Sequence, residues 1–498
     1  MSVQLYPPFS LYKKFMTHIS NNFIQHIAKQ INNPNQLDTL LEYCKIPLRK
    51  SIRVNRLKTT VEHFVNEWHQ AGYQLIPIPW CEDGFWIDES VKALPAGLGN
   101  FLPHLQGCFY IQEASSMLPV TALLATAQNP QMILDVAAAP GSKTTQIAAM
   151  VNNHGLIIAN ELSSSRLKGL YSNIQRCGVT NVCLTHADGR IFGEKTEQTF
   201  DAILLDAPCG GEGTVRKDPD ALSNWSLESV LTMSALQKEL IVSAFKALKP
   251  GGTLVYSTCT LSFEENQWVC QHLIDEYPGE VKIVGLNNLF KGAEQAVTEE
   301  GYLHVYPHIF DSEGFFVACF TKSSHWSPPQ EELSIKSHTK PFPFSPIDKK
   351  TATQFAQYAK QLSWNIQGIE KDLWLRKNEI WYFPAGIEKL IGKIKMDRMG
   401  VKLCESHKHG FKLQHQAAIS FSNHFTLSYP LNKAQAVEYY QGKDIFVDDL
   451  KKFPKGEIIV CYQSQTLGIA KNLGNKLKNS LPRELVRDNP FAQLNESV

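Results

Sequence analysis

Eleven cysteines are scattered through this 498-residue chain, yet no two form a C-x-x-C pair; the closest, Cys177 and Cys183, stand six apart. That spacing excludes a zinc knuckle of the usual kind, and His186 nearby makes a poor third ligand. No metal site is expected, and small buried hydrophobes is the default role for most of these thiols. An excess of one charge is missing as well. Forty-nine Lys and Arg balance 48 Asp and Glu, a net charge of +1, so any nucleic-acid partner must be held by local patches and not by a global field. No run reaches the ~18 apolar residues of a membrane span, and the opening MSVQLYPPFSLYKKF lacks the apolar stretch of a secretion signal. The expectation is a soluble, cytoplasmic protein with reduced thiols, no membrane partner and no evident obligate protein partner.

What is present is a well-filled chain: 43% hydrophobic residues and nine tryptophans, enough for two to four folded domains. Four segments are expected. Residues 1–104 mix helical and strand-like patterns, an N-terminal α+β domain of RNA-binding type. In residues 105–322 short apolar runs alternate with amphipathic helices, the signature of a doubly wound, mostly parallel α/β sheet. Its predicted strands are Met132–Val136, Gly155–Asn160, Val182–His186, Ala202–Asp206 and Thr253–Ser257, with Gly314–Phe320 as a late edge strand. Its predicted helices include Lys143–Met150, Ser164–Cys177 and Ser226–Leu248. Residues 323–350 are rich in Pro and Ser and read as a linker. Residues 351–498 read as one or two small α+β or β-barrel modules, and no repeat of 20–50 residues is apparent.

The first predicted strand of the sheet runs into Val136-Ala137-Ala138-Ala139-Pro140-Gly141-Ser142-Lys143-Thr144-Thr145. Small residues there let a ligand come close to the backbone, with its polar part at the next helix N-terminus. A dinucleotide site needs G-x-G-x-x-G and a P-loop needs G-x-x-x-x-G-K-[ST]; neither is present. Acids at later strand ends complete a different pattern. Glu161 stands where an acid would hold ribose hydroxyls, and Asp188 where it could accept from an adenine amino group. Each acid alone would pass for a solvated loop residue, but strand ends at successive positions converge on one crevice.

The fourth strand runs into Asp206-Ala207-Pro208-Cys209 and the fifth into Ser257-Thr258-Cys259. Neighbouring parallel strands lie ~4.8 Å apart, so the two thiols are expected to share that crevice rather than to be a chance buried pair. Methylation of carbon 5 of cytosine would give such a pair a purpose. That carbon is too electron-poor to attack a sulfonium methyl unaided, and a thiolate adding to carbon 6 makes it nucleophilic. Asp206 is placed to stabilise charge at ring nitrogen N3. A second thiol or a water would assist release of the product, and spacing alone leaves open which cysteine attacks.

Three motifs in order, VAAAPGSKTTQ, DAPCGGEGT and YSTCTLSFEEN, with RVNRLK and GCFYIQEASSM upstream, resemble the RNA 5-methylcytosine methyltransferases of the Nol1/Nop2/Sun type. The resemblance covers roughly residues 1–322. It implies a Rossmann-like domain that uses S-adenosyl-L-methionine, with Cys259 as nucleophile and Cys209 assisting release. Cofactor contacts by Ala137, Ala138, Ala139, Pro140, Gly141, Ser142, Lys143, Glu161, Asp188 and Asp206 are implied with it. Val136, Ser142 and Gly210 depart from the family's commonest spelling, in which a cysteine, a glycine and a serine stand at those places; no chemical group needed above is lost. The spelling and the long C-terminal extension look most like the bacterial members that act on small-subunit ribosomal RNA. That implies a cytosine of 16S ribosomal RNA, free or in an assembly intermediate, and a C-terminal PUA-like module.

Two basic stretches could contact such a substrate. Arg49 to Lys58 contains no acid, and Lys451 to Arg487 carries eight Lys and Arg against two Glu. Phosphate contacts there would hold the RNA while shape and base contacts select the site. Rival readings are a transfer-RNA or other ribosomal cytosine, a DNA cytosine, and a ribosome-assembly factor with a decayed site. The paired thiols disfavour DNA. The presence together of Cys209, Cys259, Asp206 and Lys143 disfavours decay.

Overall fold

The structure, a computed structural model, describes residues 18–31, 33–95, 97–325, 342–408 and 410–492. The opening 17 residues and most of the Pro/Ser-rich stretch, 326–341, lie outside them. The first sheet has β1 (Ser51–Val54), β2 (Leu75–Ile78), β3 (Cys81–Ile87) and β4 (Phe109–Ile111) in the order β2-β3-β1-β4, all antiparallel. Helix Val61–Gln70 buries Phe64 and Trp68 against it, and a four-residue spacing puts both rings on one helix face.

The central sheet carries β5 (Met132–Asp135), β6 (Leu156–Asn160), β7 (Val182–Thr185), β8 (Phe200–Asp206) and β9 (Leu248–Thr258). These five are parallel and lie in the order β9-β8-β5-β6-β7, so the winding reverses between β5 and β8. A crevice opens at such a reversal, outside the carboxyl ends of the strands. Alternation along the strands is strict: Ile133, Ile157 and Val255 face one helical layer with Ile147 and Leu170, while Leu134, Ile158 and Leu254 face the other with Ile241 and Phe245. This two-residue period sandwiches the sheet between helices and leaves only strand ends for function.

Two additions extend the sheet. On one side β10 (Val281–Ile283) and β11 (Leu303–Val305) both pair with β12 (Phe315–Lys322), which is antiparallel to β9. The last strand is thus interior over most of its length and not the edge strand that the sequence predicts. Its run FFVACF, apolar on both faces, carries that signal.

Beyond it, β13 (Ser345–Pro346), β14 (Leu373–Arg376) and β15 (Glu379–Tyr382) begin a separate antiparallel sheet. The chain then returns as β16 (Met396–Met399) to pair antiparallel with β7. Gly400 N donates to Val182 O (3.1 Å), and the Arg398 guanidinium lies 3.8 Å over the Tyr171 ring. The C-terminal part therefore completes the central sheet. β17 (Val401–His407) and β18 (Gly410–Leu413) finish the sheet begun by β13. A last five-stranded sheet holds β19 (Ser428–Pro430), β20 (Ile445–Phe446), β21 (Gly456–Tyr462), β22 (Gln465–Asn472) and β23 (Lys476–Asn479), ordered β19-β21-β22-β23-β20.

Candidate active site

β8 and β9 are in register with Asp206 beside Ser257, so their loops leave the sheet side by side. Cys209 Sγ and Cys259 Sγ come within 3.2 Å, both partly exposed. Lys143, on the first turn of helix Ser142–Met150, donates to Asp206 Oδ2 at 2.7 Å and to Ser116 Oγ at 3.2 Å. Ser257 Oγ donates to the other Asp206 oxygen at 2.7 Å. Thiols, ammonium and carboxyl are thus one cluster. Breaking such a largely buried ion pair by removing one partner costs about 3–5 kcal/mol, because the other charge stays behind.

A shared hydrogen bond and neighbouring charges act on the two thiols. Burial works against the Lys143 ammonium, but Asp206 outweighs it and holds the group above its ordinary value. The hydrogen bond from Cys209 pulls the Cys259 thiol down, and Lys143 adds to that pull, against burial and the Asp206 charge. The same hydrogen bond, with burial, pushes Cys209 well up. The two thiols are thus coupled through one hydrogen bond, with Lys143 drawing Cys259 toward its thiolate form.

Two buried carboxyls brace the loops that carry the thiols. Glu212 has none of its surface exposed and accepts from Leu261 N (2.9 Å), Ser262 N (2.8 Å), Ser262 Oγ (2.6 Å) and Trp225 Nε1 (2.6 Å). It thereby ties the Cys209 loop to the Cys259 loop. Glu265 accepts from Gly210 N (2.9 Å) and Gln237 Nε2 (2.8 Å), and burial raises it to about 7. Gly213 N donates to Cys259 O (2.9 Å), and Gly314 N to Gly213 O (3.0 Å). A Cβ on Gly213 would stand 2.1 Å from Gly314 O.

The loop expected to hold a cofactor follows β5. Ala138 N donates to Asn160 O (2.7 Å) and Gly141 N to Ala138 O (2.7 Å), a tight turn that Gly141 closes at φ 104°. Ala137, Ala139 and Pro140 line the same turn, and Ser142 starts the helix. Glu161 projects from the end of β6 with Oε1 taking Ser163 N (2.8 Å) and Oε2 buried without a hydrogen-bond partner. Arg166 lies 3.6 Å from that oxygen and donates to Ala139 O (2.6 Å), joining the acid to the loop. Asp188 is committed differently: it caps its own turn through Arg190 N (2.9 Å) and pairs with the Arg190 guanidinium (2.6 Å). Those hydrogen bonds keep it below the usual carboxylate range.

Sequence reasoning missed several residues here. Asp135, wholly buried at the end of β5, accepts from Thr144 Oγ1 (2.6 Å), and burial lifts it to about 7. Glu313, next to Gly314, is buried with Oε1 unpartnered and raised to about 8, by burial first and by Glu113 next. Neither sits in a motif that announces chemistry; only packing reveals them. Arg49–Lys58 divides between interior and surface. Arg53 is buried and donates to Ser142 O (3.0 Å) and Thr145 Oγ1 (2.9 Å) beneath the cofactor loop. Arg49 pairs with Asp311 (2.8 Å), Lys50 with Glu89 (2.9 Å) and Arg56 with Asp83, while Lys58 donates to Ile419 O. Arg53 and Lys58 thus brace the interior, while Lys50 and Arg56 stay on the surface with side chains 56% and 46% exposed.

Fold and site together define a class: an α/β domain of methyltransferase type with two thiols beside its strand-end crevice. Family models agree along the chain. "16S rRNA methyltransferase RsmB/F" matches residues 122–321 and "N-terminal domain of 16S rRNA methyltransferase RsmF" residues 19–114. The RsmF pre-PUA and PUA models match residues 344–421 and 426–487. Curated relatives named ribosomal RNA small subunit methyltransferase F are 51% identical over 470 residues in Citrobacter koseri (94% of this chain, 96% of that protein) and 51% over 482 in Shewanella loihica (95% and 96%). The chain belongs to the ribosomal RNA small subunit methyltransferase F family. Among solved structures, a methyltransferase homolog from Pyrococcus horikoshii is 31% identical with TM-score 0.50, covering 61% of this chain and all of that one. NSun6 from the same organism, solved with SFG, shares the fold at 24% identity and TM-score 0.54, covering 62% of this chain and 99% of that one.

Gly213→Ala will separate the two thiol loops, because backbone atoms cannot yield to the new methyl group; methyl transfer is expected to fall at least ~100-fold while the far-ultraviolet spectrum is kept. Near-normal transfer would show that the contact is slack. Glu313 binds its proton more tightly folded than unfolded, so its contribution to stability is present in acid and lost as pH rises through about 8. The melting temperature of Glu313→Gln is therefore expected to fall less than that of the unmodified protein between pH 6 and pH 9; parallel curves would refute the assignment.

Proposed function

We propose that this chain methylates carbon 5 of a cytosine in 16S ribosomal RNA through a covalent adduct with Cys259. The observation that carries the reading is the thiol pair 3.2 Å apart with Lys143 and Asp206 beside it. S-adenosylmethionine would supply an electrophilic methyl group on a sulfonium centre. The residues present fit it: Glu161, whose buried Oε2 takes no hydrogen bond, suits the ribose diol. Asp188 would take the adenine end, and the turn Ala137 to Lys143 with Asp206 the amino-acid end.

Cys259 enters as thiolate, favoured by the Cys209 hydrogen bond and the Lys143 charge. Its sulfur forms a bond to ring carbon 6, and the carbon 5–carbon 6 π pair shifts to carbon 5. The negative charge this sends through carbon 4 to N3 is met by a proton, drawn from water, that the Asp206 carboxyl passes to N3 and takes back as carbon 5 gains its methyl group; Lys143 and Ser257 keep that carboxyl aimed. Once carbon 5 has gained its methyl group, its proton leaves, the double bond re-forms and the sulfur–carbon 6 bond breaks, returning the Cys259 thiolate. Cys209 assists this last stage. Its proton is held while Cys259 is anionic; when that sulfur is bonded to carbon the repulsion disappears, Cys209 releases its proton to solvent water, and its thiolate takes the proton that leaves carbon 5.

The target base must leave its stack to reach the crevice, at a cost of a few kcal/mol. Free thiols at this distance need a reducing compartment, so a cytoplasmic setting is part of the reading. No helix among the described residues is long and apolar enough to cross a membrane.

The test uses 16S ribosomal RNA carrying 5-fluorocytosine, in which fluorine replaces the departing proton, so the adduct accumulates. With S-adenosylmethionine present, a band shifted on a denaturing gel is expected for the unmodified protein and for Cys209→Ala, and no band for Cys259→Ala. The reverse pattern would reassign the nucleophile, and sequencing the trapped nucleotide identifies the site.

A further inference from the structure

Phe446 is 73% exposed, the most solvent-facing large hydrophobic side chain among the described residues. It is not alone. Phe446 lies directly across from Lys476 on β23, and Leu473, which is 43% exposed, lies across from Lys476 on the other side, with Leu473 N donating to Lys476 O at 3.0 Å. Residues opposite one another on antiparallel strands share a face. Leu473, Lys476 and Phe446 therefore form one cross-strand row, and the Lys476 ammonium sits 5.7 Å from the Phe446 ring centre.

The next row along the same face is Lys471 opposite Lys478, both exposed. Like charges directly opposite on neighbouring strands destabilise the sheet. Asp444 neutralises Lys476 (2.8 Å) and takes Asn479 N (2.9 Å), while Glu457, opposite Lys471 on β21, turns its carboxyl to the Tyr358 hydroxyl and Leu413 N. Lys455 adds a further cation, its Cε 3.8 Å from where a Cβ on Gly474 would stand. An exposed ring flanked by lysines that repel one another is poorly suited to water and well suited to a partner with flat aromatic groups and a chain of negative charge.

We propose that this face of the last sheet is a docking platform for an unpaired segment of the RNA, one base stacking on Phe446 and Leu473 while neighbouring phosphates lie between Lys471 and Lys478. It rests on RNA being the substrate and adds where, away from the thiols, the RNA is held. Stacking of a base on an aromatic side chain tolerates any base, and phosphate contacts carry no sequence. The platform thus supplies affinity and orientation; the crevice supplies chemistry.

The experiment uses the full chain with two variants, Phe446→Ala and Lys471→Ala/Lys478→Ala, on bare 16S ribosomal RNA and on small ribosomal subunits. Half-saturating RNA is expected to rise about tenfold for Phe446→Ala, with the salt dependence unchanged. For the double lysine variant the slope of log affinity against log salt is expected to shrink by about 1–2. Turnover at saturating RNA should stay within twofold for both, and the lysine variant should melt at or above the temperature of the unmodified protein. Unchanged half-saturation and slope in both variants, with the unmodified protein methylating normally, would overturn the platform. A defect seen on subunits but not on bare RNA would also overturn it, pointing to a protein occupant. Failure of the unmodified protein to methylate either RNA would instead refute the proposed function.

Discussion

The register between β8 and β9 is the constraint on which the site depends. Hydrogen bonding sets Asp206 beside Ser257, and from that pairing the two loops emerge close enough for the thiols to reach 3.2 Å. A slip of one residue would turn every side chain of a strand to the opposite face, separating Asp206 from Lys143 and burying what should be exposed. Beyond the last paired residue the sheet can no longer dictate position. Glu212 takes over there, converting two loops into one body by filling its acceptor sites with donors from the Cys259 loop and from Trp225. Hydrogen bonds to a charged group contribute about 1.5–3 kcal/mol each, so a small number suffice.

Much of this was legible in advance. Short continuous apolar runs alternating with helical stretches announced the parallel sheet, because a strand buried on both faces has no polar positions to spare. The strand ends at Asp135, Asn160, Thr185, Asp206 and Thr258 fall within a residue of those read from the chain. The two cysteines were legible as a pair for the same reason, since each stands just past such an end. The Lys143–Asp206 pair beside them was not, because Lys143 arrives from a helix 63 residues before Asp206 and gives no local sign of its partner.

The residues that escaped the sequence have a common physical origin. Glu313, Asp135 and Glu212 are acids whose meaning lies in burial, and burial belongs to the assembled fold rather than to neighbours in the chain. Arg53 and Lys58 misled in the converse way. A cation looks solvated in a one-dimensional reading, yet guanidinium and ammonium groups also serve as multi-pronged donors to carbonyls at the ends of helices and turns. Arg53 does so under Ser142 and Thr145, so part of a basic stretch supports the turn that follows β5.

β16 has a consequence for how this chain can be divided. By occupying the outer edge of β7, it seals backbone donors and acceptors that would otherwise invite another molecule's strand. A catalytic core excised at its apparent borders would bare that edge and the apolar floor that Leu390, Ile394 and Met399 now cover. The tail is thus a fitted stopper as well as an attachment. Recombination that swapped it for an unrelated module would have to replace the seal along with any affinity it carried, which makes the two halves of the chain a single heritable unit.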